Sequence, residues 1–225
     1  MATNFPASLD TLTNPTSSDS LSSPSHSAQH ANVNDAVEAL QAKVGVDSSA
    51  VASSLDYKVA QLEAAATGKI LQVVSTTKTD TFSASVTGGT TSAVTGLTAT
   101  ITPTSATSKV FVLVTMYGMS AAAHYLNAII TRGGTSISIG DTAGSRTSIT
   151  GGFNIYFATT VGSANFGTTT LSTLDSPATT SATTYGVSLA AGATQTFYVN
   201  RTNGDVDNSE RMRMASTITV FEVSA

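Results

Sequence analysis

The chain has no cysteine and no tryptophan. Without cysteine there are no disulfides and no thiolate metal ligands, so the fold must rest on its packing alone. Charged residues make up only 11% of the 225 residues, under half of the roughly 25% of an ordinary soluble protein, and they sum to −4. Such a chain does not attract polyphosphate, so nucleic acid is not an expected partner. No run of about 18 apolar residues occurs, so no membrane-inserted helix is expected. The N-terminal MATNFPASLDTL lacks the basic and apolar regions of a secretory signal. Enzyme signatures are missing too. There is no G-x-S-x-G, no H-E-x-x-H and no G-x-x-x-x-G-K-[ST], and Gly68-Lys69 lacks the upstream glycine of a phosphate loop. With so few acids, a paired-carboxylate glycan hydrolase is a minor alternative, and no catalytic residue or cofactor is expected.

Serine, threonine, alanine and glycine fill the space left by charge. Small β-tolerant hydroxyl side chains suit a durable, mainly β structural protein better than a cleft of converging charges. The pattern along the chain divides it into three. Residues 1–31 read as an extended arm in which Pro6, Pro15 and Pro24 recur at intervals of nine. Each proline stops a helix and biases its predecessor toward extended geometry. Phe5, Leu9, Leu12 and Leu21 are the arm's only sizeable apolar anchors. A solvating tail has no need of them, so they read as side chains for the pockets of a partner.

Residues 32–67 read as helical. In 32–44, Val33, Val37, Leu40 and Val44 line one face, with Asn32 or Asn34 as N-cap and Gly45 as the residue that closes the helix. In 48–66, capped by Asp47 or Ser48, residues Ala52, Leu55, Val59, Leu62 and Ala66 keep a 3-4 heptad spacing, a rod of roughly 28 Å. This helix either lies on the β body or forms a short parallel stalk.

Residues 69–225 read as a β body. Its strand candidates are KILQVV, TDTFSASV, TSAVTGLTATI, SKVFVLVTMYG, HYLNAIITR, TSISIG, GGFNIYFATTV, GTTTLSTL, TTYGVSLAAG, QTFYVNR and RMASTITVFEV. IITRGGTSISIG predicts a hairpin with Arg132-Gly133-Gly134 at the bend. The nearly continuous run KVFVLVTM predicts a strand buried on both faces. Short strands at this spacing point to a sandwich or barrel.

Several residues carry candidate chemistry. His26 and His30 stand four apart, a spacing that can chelate metal on a helix, but no third ligand is near and docking contacts are the preferred role. Tyr117, His124 and Tyr125 flank a predicted loop and are candidate receptor contacts, since polar aromatics suit sugar recognition. Asp205, Asp207 and Glu210 follow Asn203-Gly204 and read either as a calcium loop or, preferably, as a solvated turn. Asn200-Arg201-Thr202 has the form of a glycosylation sequon. Arg201, Arg211 and Arg213 can pair with Asp141, Asp175 or Asp205.

FPASLDTLTNP followed by SPSHSAQHANVNDAVEALQAKVG resembles an N-terminal segment of many tailed-phage virion proteins, especially fibres and spikes. The segments KILQVVSTTKTDTF, LTATITPTSATSKVFVLVTM, ITRGGTSISIGD, TLDSPATTSATTYGVSL, FYVNRTNGD and MASTITVFEV resemble the distal domains of phage fibres. The resemblance implies a homotrimer with a jelly-roll-like β-sandwich knob over 69–225, fixed to a virion through its N-terminus. It implies that Phe5, Leu9, Leu12, Leu21, His26 and His30 dock on a tail or capsid protein, and that Val37, Leu40, Leu55, Val59 and Leu62 form a trimeric neck. The expected function is a short fibre or spike, assembled in the host cytoplasm, whose knob binds a host surface glycan. A head fibre clamped on the capsid is the alternative.

Overall fold

The computed structural model describes Ser18, Ser22 and residues 26–64, 68–121, 125–154 and 165–225. The chain divides into two compact units, Met1–Ala66 and Thr67–Ala225. Phe5, Leu9, Leu12, Leu21, Ala66 and His124 lie outside the described residues.

The first unit holds two helices, α1 (His26–Val44) and α2 (Leu55–Ala64). Helix α1 begins six residues earlier than its apolar stripe suggested, so residues 26–31, expected in the extended arm, are helical. Nothing in HSAQHA breaks a helix, and its alanines and glutamine favour one, so the turn propagates back to His26. Asn32 and Asn34 are therefore interior residues, not caps. The end falls where expected: Gly45 takes φ +88° and donates its N–H to Gln41 O at 2.8 Å.

Helix α2 starts seven residues later than predicted, because Ser54, not Asp47 or Ser48, caps it. Ser54 Oγ accepts the Tyr57 N–H at 3.2 Å and donates to Val51 O at 2.8 Å. Asp56 turns back to accept the Ser49 N–H at 2.8 Å. Ser54 is fully buried, and a Cβ on Gly45 would come within 2.9 Å of it. This small polar knot sets the α1–α2 connection. Neither helix has a buried residue.

The second unit is mainly β, and every strand candidate contains a strand. They are β1 (Ile70–Lys78), β2 (Phe82–Val86), β3 (Thr91–Ile101), β4 (Lys109–Ser120), β5 (Tyr125–Arg132), β6 (Thr135–Ile137), β7 (Gly151–Asn154), β8 (Gly167–Asp175), β9 (Thr183–Ala190), β10 (Gln195–Val199) and β11 (Ser216–Val223). They form two antiparallel sheets. In one, β1, β11 and β4 lie side by side, β8 covers the other edge of β4, and β10 with β2 continues beyond β11 along the same β4 edge. In the other, β3, β9 and β5 lie side by side, and β7 and β6 share the free edge of β5.

The sheets pack on one hydrophobic cluster. Val112, Val114, Ile218 and Val220 enter it from the first sheet, and Leu126, Ile130, Tyr185 and Leu189 from the second. Burying each aliphatic side chain of this kind contributes about 1.5–3 kcal/mol. Strand β11 shows the period of two expected of it: Ser216, Ile218, Val220 and Glu222 are buried, and the residues between them are half-buried. The hairpin also forms as predicted. Arg132 pairs with Thr135, and Gly133 and Gly134 take φ +56° and +83°, the left-handed pair a two-residue turn requires.

Strand β4 departs from expectation. Its even residues from Val110 to Met116 are buried, but Phe111, Leu113, Thr115 and Tyr117 are only half-buried. The strand is central within its sheet, but just one face of that sheet meets the core. Its continuous apolar run therefore leaves large side chains on an uncovered face.

Two polar clusters tie the sandwich together. Asp175 on β8 accepts Arg132 Nη1 of β5 at 2.9 and 2.8 Å and the Tyr185 hydroxyl of β9 at 2.7 Å, joining the sheets. Burial, and then the bond to Asp175, push the Tyr185 hydroxyl well above the usual tyrosine range. Elsewhere, Asn200 donates its amide to Lys78 O at 2.7 Å and Asp80 O at 3.0 Å, while Ser216 Oγ donates to its Oδ1. Lys78 is 4% exposed, and its amine pairs with Asp80 at 2.6 Å. Its hydrogen bond holds the Asp80 carboxyl below the usual range. Asn200 itself is fully buried, so the folded chain does not present its sequon for modification.

Candidate functional site

The first sheet has two distinct ends. Ile70 pairs with Val223, and Val223 with Lys109, so the chain enters the β unit at the end where β11 finishes and β4 starts. Strand β4 runs twelve residues from there, about 40 Å. At its far end lie the end of β4, the starts of β5 and β8, and the β10–β11 connection.

Hydrogen bonds hold these segments to one another. Asn203 Nδ2 donates to Ala121 O at 3.0 Å, and the Asn203 N–H points to Asn165 O at 3.4 Å. Asn200 N–H donates to Tyr117 O at 3.0 Å, and Ala121 N–H to Thr196 O at 2.7 Å. The β10–β11 connection then builds outward from Tyr198. The Arg201 guanidinium lies 4.3 Å above the Tyr198 ring and is 17% exposed. It donates to Asn203 O at 2.9 Å and Thr202 O at 3.2 Å, and pairs with Asp205 at 3.2 Å. Arg213 takes the other Asp205 oxygen, and Arg201 and Arg213 also form a β-bridge. The expectation that these arginines pair with a nearby acid is met at Asp205.

This network weighs against the calcium reading of 205–210, because arginines occupy both Asp205 oxygens. Asp207 and Glu210 are exposed. Among the described residues no group of three or more His, Cys, Asp or Glu is placed to hold a metal. Around the network, Phe166, Val206 and Met212 stand 41%, 61% and 46% exposed. Arg201 thus covers one face of Tyr198 and spends its donors inside the connection, while Phe166, Val206 and Met212 leave apolar surface exposed beside it.

Of the three proposed receptor contacts His124 lies outside the described residues, and Tyr117 and Tyr125 do not form one exposed group. Tyr117 lies inside β4 rather than beside a loop, half-buried and facing away from the core. Tyr125 opens β5, and its ring packs edge-on against Phe197 at 5.7 Å. Both adjoin the same end of the sandwich, but Tyr125 is occupied with packing. Tyr198, Asn165 and Phe166 were missed in the sequence. The available signal for Tyr198 was FYVNRTNGD, an aromatic pair running straight into an Asn-Gly turn.

The other predicted residues belong to the first unit. His26 and His30 are on exposed turns of α1, with Nε2 atoms 3.0 Å apart and rings edge to face. On the helices, Val37, Leu40, Leu55, Val59 and Leu62 are 46%, 52%, 51%, 51% and 67% exposed.

No protein-family model matches the chain, and no curated protein matches it.

Proposed function

We propose that the chain is a structural protein of a tailed-phage virion: a short homotrimeric fibre or spike. Its N-terminal residues dock on a tail or capsid protein, and its β domain binds a host surface glycan without chemistry. The observation that carries this reading is the state of the two helices. They contain regularly spaced Val and Leu residues and bury none of them. An apolar stripe left in water loses the gain that makes a short helix stable, so the helices require a partner. Three parallel copies joined into a neck supply it, and the 3-4 spacing of Leu55, Val59 and Leu62 suits that packing.

The strand pairing supports the jelly-roll part of the reading. β1 pairs with β11, β3 with β9, β4 with β8, and β5 with β6 and β7. Each pair is nested within the one before, as if a single long hairpin were rolled into two sheets. Nesting of this kind is what a jelly-roll connectivity calls for, and it supports that reading. The loop end, remote from where the chain enters the domain, is the natural receptor-facing end. Weak contacts there gain strength from three copies and from many fibres on a particle.

The direct test is a labelled antibody against 69–225 imaged on intact virions. Label at the tail supports attachment to the host. Label over the capsid moves the protein to the head-fibre alternative. Absence of label from every particle overturns the virion reading. Removing residues 1–45 is expected to leave soluble trimers that no longer attach to particles. Glycan released on prolonged incubation with the protein would replace the binding role with a hydrolytic one.

A further inference from the structure

The outer face of the β1, β11, β4 and β8 strands carries a continuous apolar row. Val73 sits opposite Phe221, Phe221 opposite Phe111, and Phe111 opposite Leu174. The two phenylalanine rings are 5.9 Å apart. Val73 and Leu174 at the ends of the row are 54% and 52% exposed, and Ile70 and Leu71 beside it are 59% and 47% exposed. One step along the strands the row becomes Ser75, Thr219, Leu113 and Ser172, and the next is Thr77, Thr217, Thr115 and Thr170. The face is therefore apolar at the end where the chain enters and hydroxyl-bearing toward the loop end. Among its described outward side chains, Lys109 is the one charge.

We propose that this sheet face is where copies of the chain meet, with three such faces turned toward a common axis; the inference rests on the homotrimer reading. A second copy is the fitting occupant because the face is electrically neutral apart from one terminal lysine. Any surface that meets its own copy brings like charges together, and in a chain of net charge −4 a face without acids avoids that repulsion. The size also fits. Four strands by the nine residues of β1 cover roughly 570 Å² in plane, before side-chain relief is counted, against about 800 Å² a partner for a specific interface.

The absence of cysteine makes a direct test available, since one introduced thiol is the only one in the chain. Val73→Cys and Leu174→Cys place it in the row. Thr184→Cys, exposed on the other sheet, is the reference. The full-length variants would be labelled with a maleimide at concentrations where sedimentation gives three copies. The row thiols are expected to react about tenfold or more slowly than the reference, with all three equal in denaturant. A row variant that falls to one copy while the unmodified chain stays at three also supports the interface. Equal rates in a chain of three copies would overturn this face and leave the homotrimer standing. A chain that sediments as one copy would overturn both.

Discussion

Replacing Asp175 with alanine tests the account of what joins the two sheets. The carboxylate accepts two bonds from Arg132 and one from Tyr185, and its side chain is 14% exposed. The consequences differ for the two partners. Arg132 is 37% exposed and can return its guanidinium to water, so its share is discounted toward that of a surface pair. Tyr185 is fully buried, so its hydroxyl becomes a donor without an acceptor. Stranding a buried donor costs about 1–3 kcal/mol, and the weakened ion pair adds less than about 1 kcal/mol. The expected loss is about 2–3 kcal/mol, or about 5–10 °C in Tm for a domain of this size. Urea unfolding at fixed protein concentration, repeated by thermal melt, measures it. The Tyr185→Phe background isolates the cause. There the hydroxyl is already gone, so Asp175→Ala is expected to cost about 1 kcal/mol less than in the unmodified chain. A loss below about 0.5 kcal/mol, or no coupling between the two changes, would refute the claim that the buried hydroxyl dictates the carboxylate.

Other consequences can be checked in the same way. Glu222 is buried under the 103–108 connection and accepts the Thr104 N–H at 2.7 Å and hydroxyl at 2.6 Å. Burial pushes its carboxyl up, but the Thr104 bonds, with Ser108 and Ser105, outweigh that and hold it below the usual range. Its contribution is therefore full above the unfolded carboxylate pKa and fades as pH falls through the lower folded value. Glu222→Gln should be less stable than the unmodified chain at pH 7, with urea midpoints converging at strongly acid pH. Gly118→Ala should cost about 2–3 kcal/mol or more, because its Cβ would lie 2.3 Å from Tyr198 O, a backbone atom with no freedom to yield. Phe166→Ala should leave Tm unchanged and reduce glycan-array signal, since its ring is 41% exposed at the loop end; an unchanged signal removes Phe166 from the binding surface.

The β architecture was legible because burial imposes a period of two and turns demand particular residues. TSAVTGLTATI gave β3 to the residue, and Gly133-Gly134 marked the β5–β6 hairpin, since few other pairs tolerate two left-handed φ values. Helix limits were less legible. The apolar stripe reports which face is sticky, not how far the backbone hydrogen bonds extend, so α1 ran past it to His26. α2 yielded its first turns to the Ser54 knot, whose partners at Ser49 and Gly45 come from across a turn. The loop-end cluster was half legible. Arg201, Arg211 and Arg213 suggested pairing with Asp141, Asp175 or Asp205, but the meeting of Asn203 with Ala121 and Asn165 depends on strand order, which no local pattern encodes.

The misreading of KVFVLVTM is the most informative of these. An apolar run of that length suggests a strand covered on both sides, yet Phe111 and Leu113 face away from the core. Under the proposed interface, the pattern and the fold agree, because another copy of the chain supplies the second cover. The same proposal accounts for the lack of acids on this face. A sheet face that meets its own copy cannot hold acids, yet its strands still need side chains suited to a pleated backbone. Threonine and serine meet both demands, since the hydroxyl adds no net charge and threonine's branched carbon favours the extended chain. Along Ser75, Thr219 and Ser172, then Thr77, Thr217, Thr115 and Thr170, the face follows that logic toward the loop end. Charge reappears at Arg201, Asp205 and Arg213, where the strands end and the loops begin. On the proposed reading, the small-residue composition sorts into an apolar end suited to assembly and a polar, aromatic end suited to recognition.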